Sequence, residues 1–201
     1  MGISRRNLLL GLSGMSLFPE PVFSKIGSSL FISAAKIENN FKSIVVDEKG
    51  KEVFNVPLNG RSHDIAISPR KRHAVVFARR PGFFFHVIDL EKKIIVHTVT
   101  PEEGRHFYGH GCFSTDGKFL YASENDYENQ IGCIGIYDSK NGFKKLGEFS
   151  SFGIGPHQII YSKQGNIVVA NGGIKTHPDF KRRKLNVDSI QSSMVYVNPT
   201  N

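Results

Sequence analysis

Three histidines, His63, His110 and His157, stand 47 residues apart, and each heads a closely similar apolar run. A fixed period of this length is the signature of a repeat architecture, and ~40–50 residues make one four-stranded propeller blade. The first copy reads His63-Asp-Ile-Ala-Ile-Ser68, then His73-Ala-Val-Val-Phe-Ala-Arg79, then Phe84-Phe-His-Val-Ile-Asp89. The second reads His110-Gly-Cys-Phe-Ser114, then Phe119-Leu-Tyr-Ala-Ser123, then Cys133-Ile-Gly-Ile-Tyr-Asp138. The third reads His157-Gln-Ile-Ile-Tyr-Ser162, then Ile167-Val-Val-Ala-Asn171, then Ser193-Met-Val-Tyr-Val-Asn198.

Each run is short, rich in Val, Ile, Phe and Tyr, and bounded by Gly, Asp, Asn or Ser, which are strand and hairpin signals. Thr115-Asp-Gly-Lys118 is a tight-turn sequence, because Gly accepts the positive φ such turns need. Lys93–Val99 and Lys145–Ser151 supply a fourth, outer strand, and Leu30–Ala35, Ser43–Asp47 and Glu52–Leu58 read as three strands of an earlier blade. The fold class that follows is all-β: a β-propeller of four-stranded antiparallel blades. A β-sandwich with coincidental spacing is the alternative, but it would not repeat His, the Ser turn and the terminal Asp or Asn in register three times.

Length bears on how much of a ring is present. The first 24 residues read as a targeting segment, which leaves 25–201 for about three and a half to four blades. Propellers have four to eight. The sequence stops at Asn198-Pro-Thr-Asn201, where a fourth strand should begin, so an incomplete ring from a truncated chain is expected. A small four-bladed ring is the alternative.

The segment itself carries Ser4-Arg-Arg-Asn-Leu-Leu-Leu10 and an apolar stretch to Phe18. A basic start and an apolar run too short to span a bilayer make a signal peptide, and the paired arginines resemble the twin-arginine signal. The expectation is export to the periplasm through the twin-arginine (Tat) translocon, with no membrane attachment afterwards. Cys112 and Cys133 would then meet an oxidising compartment. They fall on the first and third strands of one blade, about two strand spacings or ~9.5 Å apart. A disulfide needs Cα atoms within ~7 Å, so two free thiols are expected.

The formal charge is +8, with basic clusters at Arg70-Lys-Arg72, Arg79-Arg80 and Lys181-Arg-Arg-Lys184. These lie in predicted turns and lack the interleaved aromatics of a stacking platform, so no nucleic-acid partner is expected. An acidic partner or small anionic ligand remains compatible with them.

The innermost strand of a blade lines the central channel, so His63, His110 and His157 would surround one opening. Imidazole is the commonest metal ligand, and converging imidazoles suit zinc, copper or iron. Repetition in every copy favours instead a structural role, each His donating to a neighbouring blade's carbonyl and pinning adjacent blades together, with an anion, small-ligand or metal site as the alternative. Further ligand-binding candidates are Arg61 and Arg105, which precede two inner strands, His106, and His177 on the long insertion Gly172–Ser192. His106 and His177 are unique to one blade, a feature that favours a site over architecture. Glu124-Asn-Asp-Tyr-Glu128 offers three carboxylates and reads as a solvated hairpin tip. No Ser-His-Asp order, phosphate-binding Gly loop or Cys-x-x-Cys pair is present, so no catalytic residue is assigned, and the cofactor stays open.

Phe77-Ala-Arg-Arg-Pro-Gly82, Gly104-Arg-His-Phe-Tyr-Gly-His-Gly111, Glu124-Asn-Asp-Tyr127, Gly153-Ile-Gly-Pro-His157 and Asn171-Gly-Gly-Ile-Lys-Thr-His-Pro178 resemble the family called domain of unknown function 1513. The resemblance runs from about Leu30 to the C-terminus. It implies a twin-arginine-exported periplasmic propeller about twice this length, found alongside imelysin-type proteins, and hence a role near iron uptake through a ligand or a periplasmic protein partner. It transfers no catalytic residue. A propeller enzyme using the channel-mouth histidines is the alternative.

Overall fold

The computed structural model describes residues 29–181 and 183–199, so the segment read as a signal peptide, 1–24, lies outside the described residues. Among the described residues, fourteen strands run in chain order: β1 (Phe31–Ile37), β2 (Asn40–Val46), β3 (Glu52–Leu58), β4 (Ser62–Ile67), β5 (His73–Ala78), β6 (Phe85–Asp89), β7 (Ile94–Val99), β8 (Arg105–Phe113), β9 (Phe119–Asp126), β10 (Ile131–Asp138), β11 (Lys144–Ser150), β12 (Pro156–Tyr161), β13 (Ile167–Asn171) and β14 (Ser193–Val197). They form four antiparallel meanders, β1-β2-β3, β4-β5-β6-β7, β8-β9-β10-β11 and β12-β13-β14. The innermost strands β4, β8 and β12 are neighbours, and β1 stands beside β4. This is the expected propeller, with sheets in an open arc rather than a closed ring.

Blades of a propeller are buried on both faces, which explains why the middle strands are almost continuously apolar rather than alternating. On β5, Val75 and Phe77 point one way with Phe85 and Val87 of β6, joining Phe107, Phe113, Leu120, Ala122 and Tyr137 of the third sheet. Ala74, Val76 and Ile88 point the other way onto Val56, Leu58 and Phe54 of the first sheet. A third cluster, Tyr121, Ile134, Ile159, Ile167 and Val169, joins the third sheet to the fourth. The three clusters are the three blade interfaces.

The repeated serine and aspartate have turn duties. Ser68 Oγ accepts from the backbone N–H of Arg72 and His73, Ser114 Oγ from that of Phe119, and Ser162 Oγ from that of Asn166. Asp89 caps the N–H groups of Glu91 and Lys92, and Asp138 caps that of Lys140. Both are side-chain-to-backbone turns of the kind these residues favour.

One expectation is corrected. Strand β9 does not end at Ser123 but continues through Asp126, and Glu124, Asn125 and Asp126 are buried rather than a solvated tip. Their polar groups are satisfied inside the blade: Glu124 by Tyr137 and Lys145, Asn125 by the Thr176 carbonyl, Asp126 by Arg105 and Asn129. Cys112 and Cys133 are free thiols, on β8 and β10 with β9 between them.

Candidate functional site: three imidazoles at the inner-strand rim

Each of the three inner strands breaks its pairing register where its histidine stands. The break lies between Ser62 and Ile65 on β4, between Phe107 and Gly111 on β8, and between Pro156 and Gln158 on β12. A bulge turns a side chain out of the regular alternation, and bulges gather beside functional sites for that reason. The result is convergence. The His63 and His110 ring centroids are 4.6 Å apart, His110 and His157 4.7 Å, and His63 and His157 5.7 Å. One nitrogen from each ring lies within 4.8 Å of the others. Gly109, at φ +106°, lets this approach happen, since a Cβ there would stand 3.0 Å from the His63 ring.

The three rings differ in environment. His63 and His157 are exposed, whereas His110 is only 8% exposed. His110 Nδ1 lies 3.0 Å from the Asp64 carboxylate, which can only accept, so Nδ1 carries the proton. Nε2, on the far side of the ring, is buried with no hydrogen-bond partner. Burial, then the His110 and His157 rings, lower the His63 pKa to about 4. Burial, with His110 and Arg80, also lowers His157. Burial would raise Asp64, but its bonds to His110 and the Ile65 N–H outweigh that and hold it below the usual carboxylate value. At neutral pH the rim therefore presents at least two uncharged imidazoles with free lone pairs.

None of the three rings donates to a neighbouring blade's carbonyl among the described residues; His110 uses a carboxylate, and the rings of the other two pack on each other and on His110. Of the three polar residues repeated in each blade, histidine is the one without a backbone duty.

The remaining candidates lie elsewhere. Arg105 points into the third sheet, pairing with Glu148 at 2.6 Å and Asp126 at 3.5 Å and donating to Cys133 Sγ, so it does not line the rim. Arg61 is exposed and lines a cleft with Lys36, Phe41 and Ser62 at the boundary of the first two sheets. His106 is fully buried and stacks with Tyr108 and Tyr127. Its Nδ1–H donates to the Phe107 carbonyl, and its Nε2 lies 3.3 Å from both Asn125 Nδ2 and Thr176 Oγ1. His177 packs edge-to-face against Tyr127 and accepts from the Asp179 N–H, capping a short 3-10 turn. His106 and His177 thus fasten the insertion onto the third sheet. The histidines unique to one blade stand where the insertion meets the third sheet, and the repeated ones converge.

Sequence reasoning missed Asp64. It follows His63 directly, where the other copies have Gly111 and Gln158, so asymmetry between the copies was the available signal.

His106 has a measurable consequence. Burial lowers its folded pKa to about 4, against about 6.5 for an exposed imidazole. The unfolded chain therefore takes up this proton first as pH falls. The stabilisation is complete above pH 6.5 and is lost between about pH 6.5 and 4, by an amount on the order of 3 kcal/mol. Denaturation midpoints of wild type and His106→Gln across that range should diverge at high pH and approach each other at low pH. Parallel curves would refute a neutral, buried His106.

Comparison with solved structures supports the fold alone. The chain is similar to Kuenenia stuttgartiensis hydrazine synthase, with TM-score 0.61 and 17% identity, over 78% of this chain and 40% of that one. It is similar to U3-55K, with TM-score 0.56 and 14% identity, over 84% of this chain and 48% of that one. It thus spans less than half the length of either. No curated protein matches the chain. A family model does, over residues 56–201, which include all three rim histidines and Asp64, and the chain belongs to that family, described as "Protein of unknown function (DUF1513)".

Proposed function

We propose that this chain is an exported, periplasmic binding propeller that holds a small ligand at the three-imidazole rim without turning it over, in the service of iron acquisition. The observation that carries the binding reading is the register break at each inner-strand histidine. Three independent bulges aim three rings at one point, and none of those rings is spent on the backbone. The twin-arginine pattern supports export, and the family resemblance supports the link to iron.

A second reading, a propeller enzyme, has one specific observation in its favour. Asp64 orients His110, and the unpartnered Nε2 is where a general base would receive a proton. Among the described residues no hydroxyl or thiol bonds to that nitrogen as a nucleophile would.

Native mass spectrometry of the full-length chain from its exported fraction distinguishes the readings. Wild type should carry one stoichiometric non-covalent ligand, and His110→Ala should emerge bare with its fold retained. A bare wild type, or equal occupancy in both, overturns the rim as a binding site. Turnover of the captured ligand would favour the enzyme.

A further inference from the structure

Resting on the rim as the binding site, we infer that its ligand is a divalent transition-metal ion of borderline softness, bound by one nitrogen each of His63, His110 and His157, with Asp64 fixing His110 from behind. Three arguments lead there.

The first is the donor set. All three ligand atoms are imidazole nitrogens, and Asp64 points its carboxylate at His110 Nδ1. Imidazole suits Zn²⁺, Cu²⁺, Ni²⁺ and Co²⁺, whereas Ca²⁺ and Mg²⁺ select oxygen. The site therefore discriminates against hard ions by ligand type.

The second is the orphan atom. Leaving a buried acceptor without a partner costs about 1–3 kcal/mol, and native structures rarely accept that without a reason. His110 Nε2 is a buried polar atom without a partner, and its ring stands 4.6 and 4.7 Å from the other two imidazoles. A metal ion satisfies it. The Asp64–His110 pair then becomes the carboxylate–histidine–metal arrangement that fixes the tautomer and raises ligand basicity.

The third is reach. Zn–N bonds of ~2.0–2.1 Å put nitrogens about 3.3 Å apart in a tetrahedral site. The present limit is 4.8 Å, and His63 and His157, being exposed, are free to swing the remaining distance while His110 stays fixed. Three protein ligands leave a fourth position toward solvent, as in metal sites that take an exogenous molecule. One ion would also tie together three consecutive blades.

The test is titration of metal-free, full-length protein with Co²⁺, read by ligand-field absorption, and with Zn²⁺, read by calorimetry. Wild type should bind one ion per chain with tetrahedral or five-coordinate cobalt spectra, and should ignore Ca²⁺ and Mg²⁺. His110→Ala and the double variant His63→Ala/His157→Ala should lose that spectrum. Asp64→Asn should keep the stoichiometry and weaken binding about 10- to 100-fold. His97→Ala, on the outer strand β7, should match wild type. Because the double variant changes only exposed rings, its loss of binding cannot be put down to misfolding. No cobalt spectrum in wild type, or one that survives the double variant, overturns the metal. If wild type also carries a non-metal ligand that His110→Ala lacks, the rim reading stands alone; if it carries nothing, both fall.

Discussion

Phe85→Ala should destabilise the chain by about 3–5 kcal/mol in equilibrium denaturation. Phe85 is fully buried on β6, with its ring 5.1 Å from Phe107, 5.1 Å from Tyr137, 5.5 Å from Phe77 and 6.3 Å from Phe143. Those partners come from both sides of the interface between the second and third blades. Truncation removes the transfer free energy of the ring and leaves a cavity bounded by two rigid sheets, which cannot collapse as a loop could. Leu146→Ala, on the outer strand β11 and 55% exposed, should change stability by less than about 0.5 kcal/mol. The same interface sets the separation of His63 and His110. Gly111 packs with its Cα side against the Phe77 ring, where a Cβ would overlap it. A loss below about 1.5 kcal/mol for Phe85→Ala would mean that the two blades do not depend on this cluster.

How far the sequence could be read depends on what each feature encodes. Strand order and turn positions were legible because each rests on local chemistry repeated three times. The 47-residue period, the Ser turn and the terminal Asp or Asn are such features. The convergence of His63, His110 and His157 was legible as a possibility, because repeated positions on inner strands must face one axis. Whether they would be structural was not, since that depends on bulges, and a bulge has no fixed residue signature. Glu124–Asp126 was misread for a related reason. Acidic residues after a strand ordinarily signal a solvated turn, and what keeps these inside is distant in sequence: Lys145 for Glu124, Arg105 for Asp126 and Thr176 for Asn125. Arg105 was misplaced by the same omission, because its partners Glu148 and Cys133 come from other strands.

That acidic node carries the second large effect. Lys145 Nζ stands 2.8 Å from Glu102, 3.0 Å from Glu124 and 2.7 Å from Glu148. Burial would lower the Lys145 pKa, but the three carboxylates outweigh it and hold the ammonium above its ordinary value. Burial pushes Glu124 upward, opposed by Lys145 and the Tyr137 hydroxyl, which donates to Oε1 at 2.7 Å. Lys145→Met removes the cation and leaves Glu124 buried beside another carboxylate, so stability should fall by about 3–5 kcal/mol at neutral pH. Glu124 can escape by taking up a proton. Its folded pKa in the variant would then stand above its unfolded value, so the folded chain binds the extra proton. Such a group stabilises at low pH and loses that contribution as pH rises through its folded pKa. The deficit relative to wild type should therefore be larger at pH 8 than at pH 5. Glu124→Gln/Lys145→Met should recover much of the loss, because the amide oxygen can still accept from Tyr137 and no charge is left uncompensated. A double-mutant cycle measures that recovery directly. If Lys145→Met costs less than about 1 kcal/mol, or the double variant is no better than the single, Glu124 is not held by this cation.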